Sequence, residues 1–174
     1  QGVRVYSFEY KKMPAMRFIG KESTELATME ARKELFRTLD AMTVHKSDFD
    51  YDVLLMHHYG LAIDVGPCHS FWGRFMKAST PVPEGFLFFD FLPVTDKEAG
   101  LPFCSQVAFA TFSGDNEAMH KREGYDIDAM YDVTRNIILG DGVDIPYPVK
   151  YWTAEVFLDG CDQPSTAYLF SVEL

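Results

Sequence analysis

Alternating and helical patterns of apolar residues divide the chain into strands and two helices. Alternation with a period of two predicts a strand over residues 3–10, and apolar character resumes at 15–19, so we expect one bulged strand or two short ones. Ser23-Thr24-Glu25 has the composition of a helix start, and apolar residues then recur at three- and four-residue steps. The first helix is therefore predicted over residues 24–42.

After the first helix, the sequence predicts three more strands and then a second series with the same order of strand, helix and strands. Strand composition recurs at residues 53–59, 71–78 and 86–92, with the turn residues Pro81 to Gly85 before the third strand. A second series then follows. It comprises a strand at 106–112, a helix at 116–139 that is interrupted near Gly124, and strands at 149–158 and 166–172.

Strand, helix, strand, strand occurring twice predicts two similar units packed side by side. We expect an α+β fold made of two pseudo-symmetric strand-helix-strand-strand halves, at about 1–96 and 97–174, in one domain spanning 1–174. No linker rich in Pro, Gly and Ser separates the halves. A ligand cleft is expected where their two sheets meet.

Composition narrows the possible partners. A formal net charge of -10 argues against direct nucleic-acid binding, because such binding begins with Lys and Arg neutralising phosphates. The charge modestly favours cationic ligands, although solubility is the more frequent explanation for such a charge. Aromatic residues make up 15% of the chain, which suits a cavity for flat or lipophilic molecules.

Cysteine usage and hydropathy indicate a cytoplasmic protein. Cys68, Cys104 and Cys161 are widely spaced without a C-x-x-C motif, so neither a disulfide framework nor a zinc site is signalled. No segment has the pattern of a secretory leader or the length of a membrane span. The chain begins at Gln1 rather than Met, which leaves open that it is part of a longer protein.

Glu155 stands out because it interrupts an apolar, aromatic strand pattern at residues 148–157. Alternation places it with Thr153 and Phe157 on one face, and Trp152 on the other. On an interior face, the carboxylate must find a hydrogen-bond donor, take up a proton or await a cationic ligand. On an edge strand it would simply point into solvent.

A histidine pair and a cysteine-histidine pair suggest chemistry less strongly. His57 and His58 are adjacent on a strand and point to opposite faces, so they do not chelate one metal ion, and we expect one of them to be a satisfied core histidine. Cys68 and His69 lack an accompanying oxyanion-hole motif. We therefore predict no metal site and no cofactor. The candidate aromatic contacts of a ligand are Tyr59, Trp72, Phe75, Trp152 and Tyr168.

The order of these segments resembles the gyrase-inhibitor-like (GyrI-like) small-molecule-binding domain, which also forms the effector-binding half of AraC-type and MerR-type multidrug regulators. The resemblance rests on residues 12–20, on Pro83-Glu-Gly85 leading to Phe91-Leu-Pro93, on the strand 107–114, and on residues 151–157. The last segment is similar to the family's Glu-x-Tyr strand, whose glutamate lies in the ligand pocket. Phe157 stands where the family often has Tyr.

The resemblance implies that the chain binds amphipathic, cationic small molecules next to Glu155, as a sensor or sequestering protein. One alternative is a hydrolase that opens strained-ring natural products with the same glutamate, although Phe157 in place of Tyr weighs against it. A second alternative is a gyrase-inhibitor-like interaction module. As a sensor, the domain would be fused to or partnered with a separate DNA-binding domain, since these residues contain no helix-turn-helix.

Overall fold

The computed structural model describes residues 3–42, 54–58, 69–91, 105–114, 129–146 and 151–174. In the first half of the chain these residues form strands β1 (Val3–Lys12), β2 (Met16–Glu22), β3 (Leu54–His58), β4 (His69–Lys77) and β5 (Leu87–Phe91). The second half contributes β6 (Gln106–Gly114), β7 (Trp152–Val156) and β8 (Ala167–Ser171). The α-helices are α1 (Met29–Asp40) and α2 (Ala129–Gly140).

All eight strands belong to one antiparallel sheet in the order β1-β6-β8-β7-β3-β4-β2-β5. The two halves of the chain join in the middle of this sheet, where β3 pairs with β7 and Leu55 lies opposite Glu155. The predicted α+β class is therefore wrong. Two 12-residue helices accompany eight strands in the described residues, so the fold is dominated by the sheet. The expected cleft between two separate sheets is also wrong, because ladder hydrogen bonds continue across the junction.

Helix α1 begins later than its sequence pattern predicted. Thr28 is the N-cap, and its side-chain oxygen accepts a hydrogen bond of 3.1 Å from the backbone N–H of Ala31. The predicted start at Ser23–Glu25 forms a separate 3-10 turn instead. The helix buries Leu35, Phe36 and Leu39 against β2 and β4, which is the amphipathic arrangement that the spacing predicted.

Helix α2 packs on the same side of the sheet over β6 and β8, with Met130 and Ile138 buried. Its C-terminus is closed by Gly142, whose φ of 71° is the left-handed conformation that glycine tolerates. The N–H of Gly142 donates to the carbonyl of Leu139, and that of Val143 donates to Ile138. The predicted helix began at 116, but residues 115–128 lie outside the described residues. Neither α1 nor α2 is long and apolar enough to cross a bilayer.

The opposite side of the sheet is concave and lined with apolar side chains. Phe91 on the edge strand β5 meets Trp152 on β7 with ring centroids 5.3 Å apart, although three strands separate β5 from β7 in the sheet. Such a contact requires strong curvature. Among the described residues, fourteen buried side chains, including Met56, Phe75 and Leu169, form the core on this side.

Candidate functional site

The candidate site lies on the helix side of the sheet, on the central strands β3 and β7. In sheet order these strands separate the cluster under α1 from the cluster under α2. One cross-strand row joins Trp72, Leu55, Glu155 and Tyr168, and the next joins Ser70, His57, Thr153 and Phe170. Because paired residues share a face, both rows belong to the helix side.

Within the described residues, His57 and Ser165 contact Glu155 from different parts of the chain. His57 Nε2 lies 3.0 Å from Glu155 Oε2, and the Ser165 hydroxyl donates to Oε1 at 3.1 Å. The Glu155 side chain is 15% exposed and that of His57 is 22% exposed. The carboxylate is therefore oriented by the protein and still accessible to a ligand. Of the outcomes expected for an interior carboxylate, hydrogen bonding is the one observed.

His57 extends this network to a third strand. Its Nδ1 lies 2.9 Å from the Ser70 hydroxyl on β4, so Ser70, His57 and Glu155 are connected in series. If Glu155 is ionised and His57 is neutral, the imidazole proton lies on Nε2, and Nδ1 accepts a hydrogen bond from the Ser70 hydroxyl. His57 is hydrogen-bonded but partly exposed, and the side chain of His58, the other candidate for the predicted core histidine, lies outside the described residues. These partners of His57 are polar side chains rather than core groups.

The structure divides the predicted aromatic residues between the two sides of the sheet. Trp72 and Tyr168 share the face of Glu155, and Tyr168 is its direct cross-strand partner. Phe75 and Trp152 lie on the concave face, where they are 2% and 0% exposed. Tyr59 lies outside the described residues. The alternation of β7 separated Trp152 from Glu155 as predicted.

Trp72 and Tyr168 are positioned differently. The Trp72 ring is enclosed by Phe36, Phe157 and the guanidinium of Arg32, whose centre lies 5.2 Å from the ring. Tyr168 is 3% exposed and donates a hydrogen bond of 3.1 Å to Thr153 Oγ1. Tyr168 therefore adjoins the carboxylate directly, while Trp72 lies two strands away, or about 10 Å.

The other candidates do not join this site. His69 is exposed and lies 3.4 Å from Glu22, while Cys68 is outside the described residues. Burial raises the pKa of the Cys161 thiol, which makes it a poor nucleophile. Across the described ranges, no group of three His, Cys, Asp or Glu side chains is arranged to hold a metal ion.

Sequence reasoning missed the link between Glu155 and His57, and it missed Ser165 and Ser70. His57 and Glu155 are 98 residues apart, and only the pairing of β3 with β7 brings them together. The sequence does contain a weak signal, because both central strands carry polar residues on one face. That signal shows which residues could form a polar site, but it identifies no contact until the order of the strands in the sheet is known.

Comparison with known proteins adds little to this geometry. No protein-family model matches the chain, and no curated protein matches it. A solved structure with similarity to the chain is an integron cassette protein from the mobile metagenome of Vibrio cholerae. It is 7% identical, the match covers 99% of this chain and 100% of that one, and the TM-score is 0.39. A likeness of that size supports no statement about function.

Proposed function

We propose that the helix side of β3 and β7 binds an amphipathic, cationic small molecule, with the Glu155 carboxylate next to its positive charge. The observation that supports this most is a partly exposed carboxylate at the centre of the sheet that is hydrogen-bonded to His57 and Ser165. Preorganised charge of this kind favours binding, because little side-chain entropy is lost when the ligand arrives.

The apolar residues around Glu155 support the proposal that the ligand has a lipophilic part. Tyr168 adjoins Glu155 in the same row, and Leu55 lies opposite Glu155 on β3. Apolar groups beside a carboxylate lower the local dielectric and so strengthen its attraction for a cation. The net charge of -10 adds a long-range attraction of the same sign.

The GyrI-like resemblance proposes the same role for Glu155, as part of a sensor or a sequestering protein. Fusion to a DNA-binding partner would make the domain an effector sensor, whereas the isolated domain would sequester its ligand. Strained-ring hydrolysis and gyrase interaction stay predictions, since no observation favours either over binding.

Titration with tetraphenylphosphonium, followed by calorimetry, tests the proposal. Two unit charges 4 Å apart attract by about 4 kcal/mol at an effective dielectric constant of about 20, and solvent reduces this for a partly exposed group. We expect Glu155→Gln to weaken binding at least about tenfold, which corresponds to about 1.4 kcal/mol.

Glu9→Gln is the matched control, because it removes the same charge from the exposed edge strand β1, where Glu9 pairs with Lys11. The control should retain the parent's affinity. If both variants bind tetraphenylphosphonium equally weakly, the net charge of the protein, and not the position of Glu155, determines the affinity. Unchanged affinity in Glu155→Gln would remove Glu155 from the ligand site.

A further inference from the structure

The same strip of the sheet carries a hydroxyl, an imidazole and a carboxylate in series. Ser70 Oγ lies 2.9 Å from His57 Nδ1, and His57 Nε2 lies 3.0 Å from Glu155 Oε2. We propose that Ser70 is a nucleophile that is acylated by small carboxylic esters, with His57 as its base. This activity goes beyond the proposed binding function and does not require a cationic ligand.

The proton arrangement meets the requirements of nucleophilic catalysis. With Glu155 ionised and His57 neutral, the Nε2–H of His57 is directed to the carboxylate, and the Nδ1 lone pair faces the Ser70 hydroxyl. A weakly acidic hydroxyl becomes a useful nucleophile when a neighbouring base can take its proton. Geometry and roles, rather than residue order or the ring nitrogen used, identify such a site.

Three further features distinguish this series from an arbitrary surface contact. Ser165, 1% exposed, donates to the second oxygen of Glu155 and so fixes the carboxylate that orients the imidazole. The three groups come from β4, β3 and β7, which are adjacent strands of a rigid sheet. Ser70 is itself partly exposed.

The reaction proceeds in two balanced steps. As Ser70 Oγ bonds to the carbonyl carbon, His57 Nδ1 takes the hydroxyl proton, and breakage of the ester C–O bond releases an alkoxide that takes this proton from Nδ1. Water then attacks the acyl-serine and gives a proton to Nδ1. Collapse of this intermediate releases the carboxylic acid, and Ser70 Oγ recovers the proton. Glu155 is a positioning residue that stays ionised throughout.

Reaction with p-nitrophenyl acetate tests the proposal in two ways. Release of p-nitrophenolate is followed by absorbance, and the acetylated residue is identified by mass spectrometry of the acid-quenched protein. We expect acetyl-Ser70 in the parent and no burst in Ser70→Ala. His57→Gln should slow the acylation of Ser70 about 100-fold, the contribution typical of a general base.

The controls are an exposed histidine and an exposed serine outside the series. In His69→Gln and in Ser113→Ala, p-nitrophenyl acetate should acetylate Ser70 at the parent's rate. Thermal melting establishes that each variant is folded. Acetylation only at other residues, an undiminished burst in Ser70→Ala, or normal acylation in His57→Gln would overturn the proposal.

Binding and acylation are separated by Ser70→Ala, which keeps Glu155. This variant should bind tetraphenylphosphonium with the parent's affinity and lose acylation. If the parent binds the cation and does not acetylate Ser70, the nucleophile proposal fails and the binding proposal stands. If the parent acetylates Ser70 and does not bind the cation, the binding proposal fails and the nucleophile proposal stands.

Discussion

The two faces of the central strands β3 and β7 have opposite characters. On the concave face, Met56, Ala154 and Trp152 are fully buried in one apolar cluster. On the helix side, His57 and Glu155 are partly exposed and joined by a hydrogen bond. A strand alternates its side chains, so one short segment can stabilise the fold with one face and present chemistry with the other.

The contrast has a structural origin in where the helices pack. Helix α1 covers β2 and β4, and α2 covers β6 and β8, with β3 and β7 between them in the sheet. On the concave face, the curved sheet brings the ring of Phe91 onto that of Trp152. The polar groups His57 and Glu155 thus lie between the apolar cluster under α1 and the apolar cluster under α2.

The largest effect should come from Trp152 on the concave face. Trp152→Ala removes a fully buried ring that contacts Phe75 and Phe91, and it should lower the free energy of unfolding by about 3–5 kcal/mol. Glu155→Gln keeps the shape of its side chain and should change that free energy by less than about 1.5 kcal/mol. Urea denaturation measures both. Equal losses would end the distinction between a structural and a functional face.

A smaller effect is expected at the edge of the helix side, where Tyr10 on β1 donates a hydrogen bond of 2.6 Å to Asp141. Tyr10→Phe should lower the free energy of unfolding by about 0.5–1.5 kcal/mol at neutral pH. Burial, and then the hydrogen bond and charge of Asp141, raise the pKa of Tyr10 above its ordinary value of 10.0.

The stabilisation that Tyr10 contributes should therefore depend on pH in a defined direction. Below pH 10.0 the phenol is protonated in both states, so the contribution is complete. As pH rises further, the unfolded state ionises first, and the difference between parent and Tyr10→Phe should shrink. Urea denaturation at pH 7 and at increasing alkaline pH measures it. A difference that grows with pH would contradict the assignment.

Local elements were largely predictable from the sequence. Apolar strand composition located β5 and β8 closely, and helical spacing identified the buried face of α1, since these patterns depend on nearby residues. The start of α1 was missed because Ser23–Glu25 and Thr28 both have capping composition, and only packing decides which one caps. The single continuous sheet was missed because strand pairing across the β3–β7 junction is a long-range property.

The candidate site was predictable only in part. Glu155 was identifiable, because a carboxylate in an apolar strand is costly unless it has a partner. His57 and Ser165 were not identifiable as its partners, since no local pattern relates them to it. Phe75 and Trp152 were assigned to the ligand on aromatic character, which does not distinguish a core ring from a binding surface.

The central claim is that the ligand lies on the helix side of the sheet, and adjacent residues of β3 test it most directly. Leu55 lies opposite Glu155 on the helix side, while Met56 is fully buried on the concave side. The aromatic rings of tetraphenylphosphonium shift the NMR resonances of nearby methyl groups. In protein labelled with ¹³C at Leu and Met methyls, we predict a saturable shift of the Leu55 resonances and none at Met56. A shift at Met56 without one at Leu55 would place the ligand on the concave face and contradict the account.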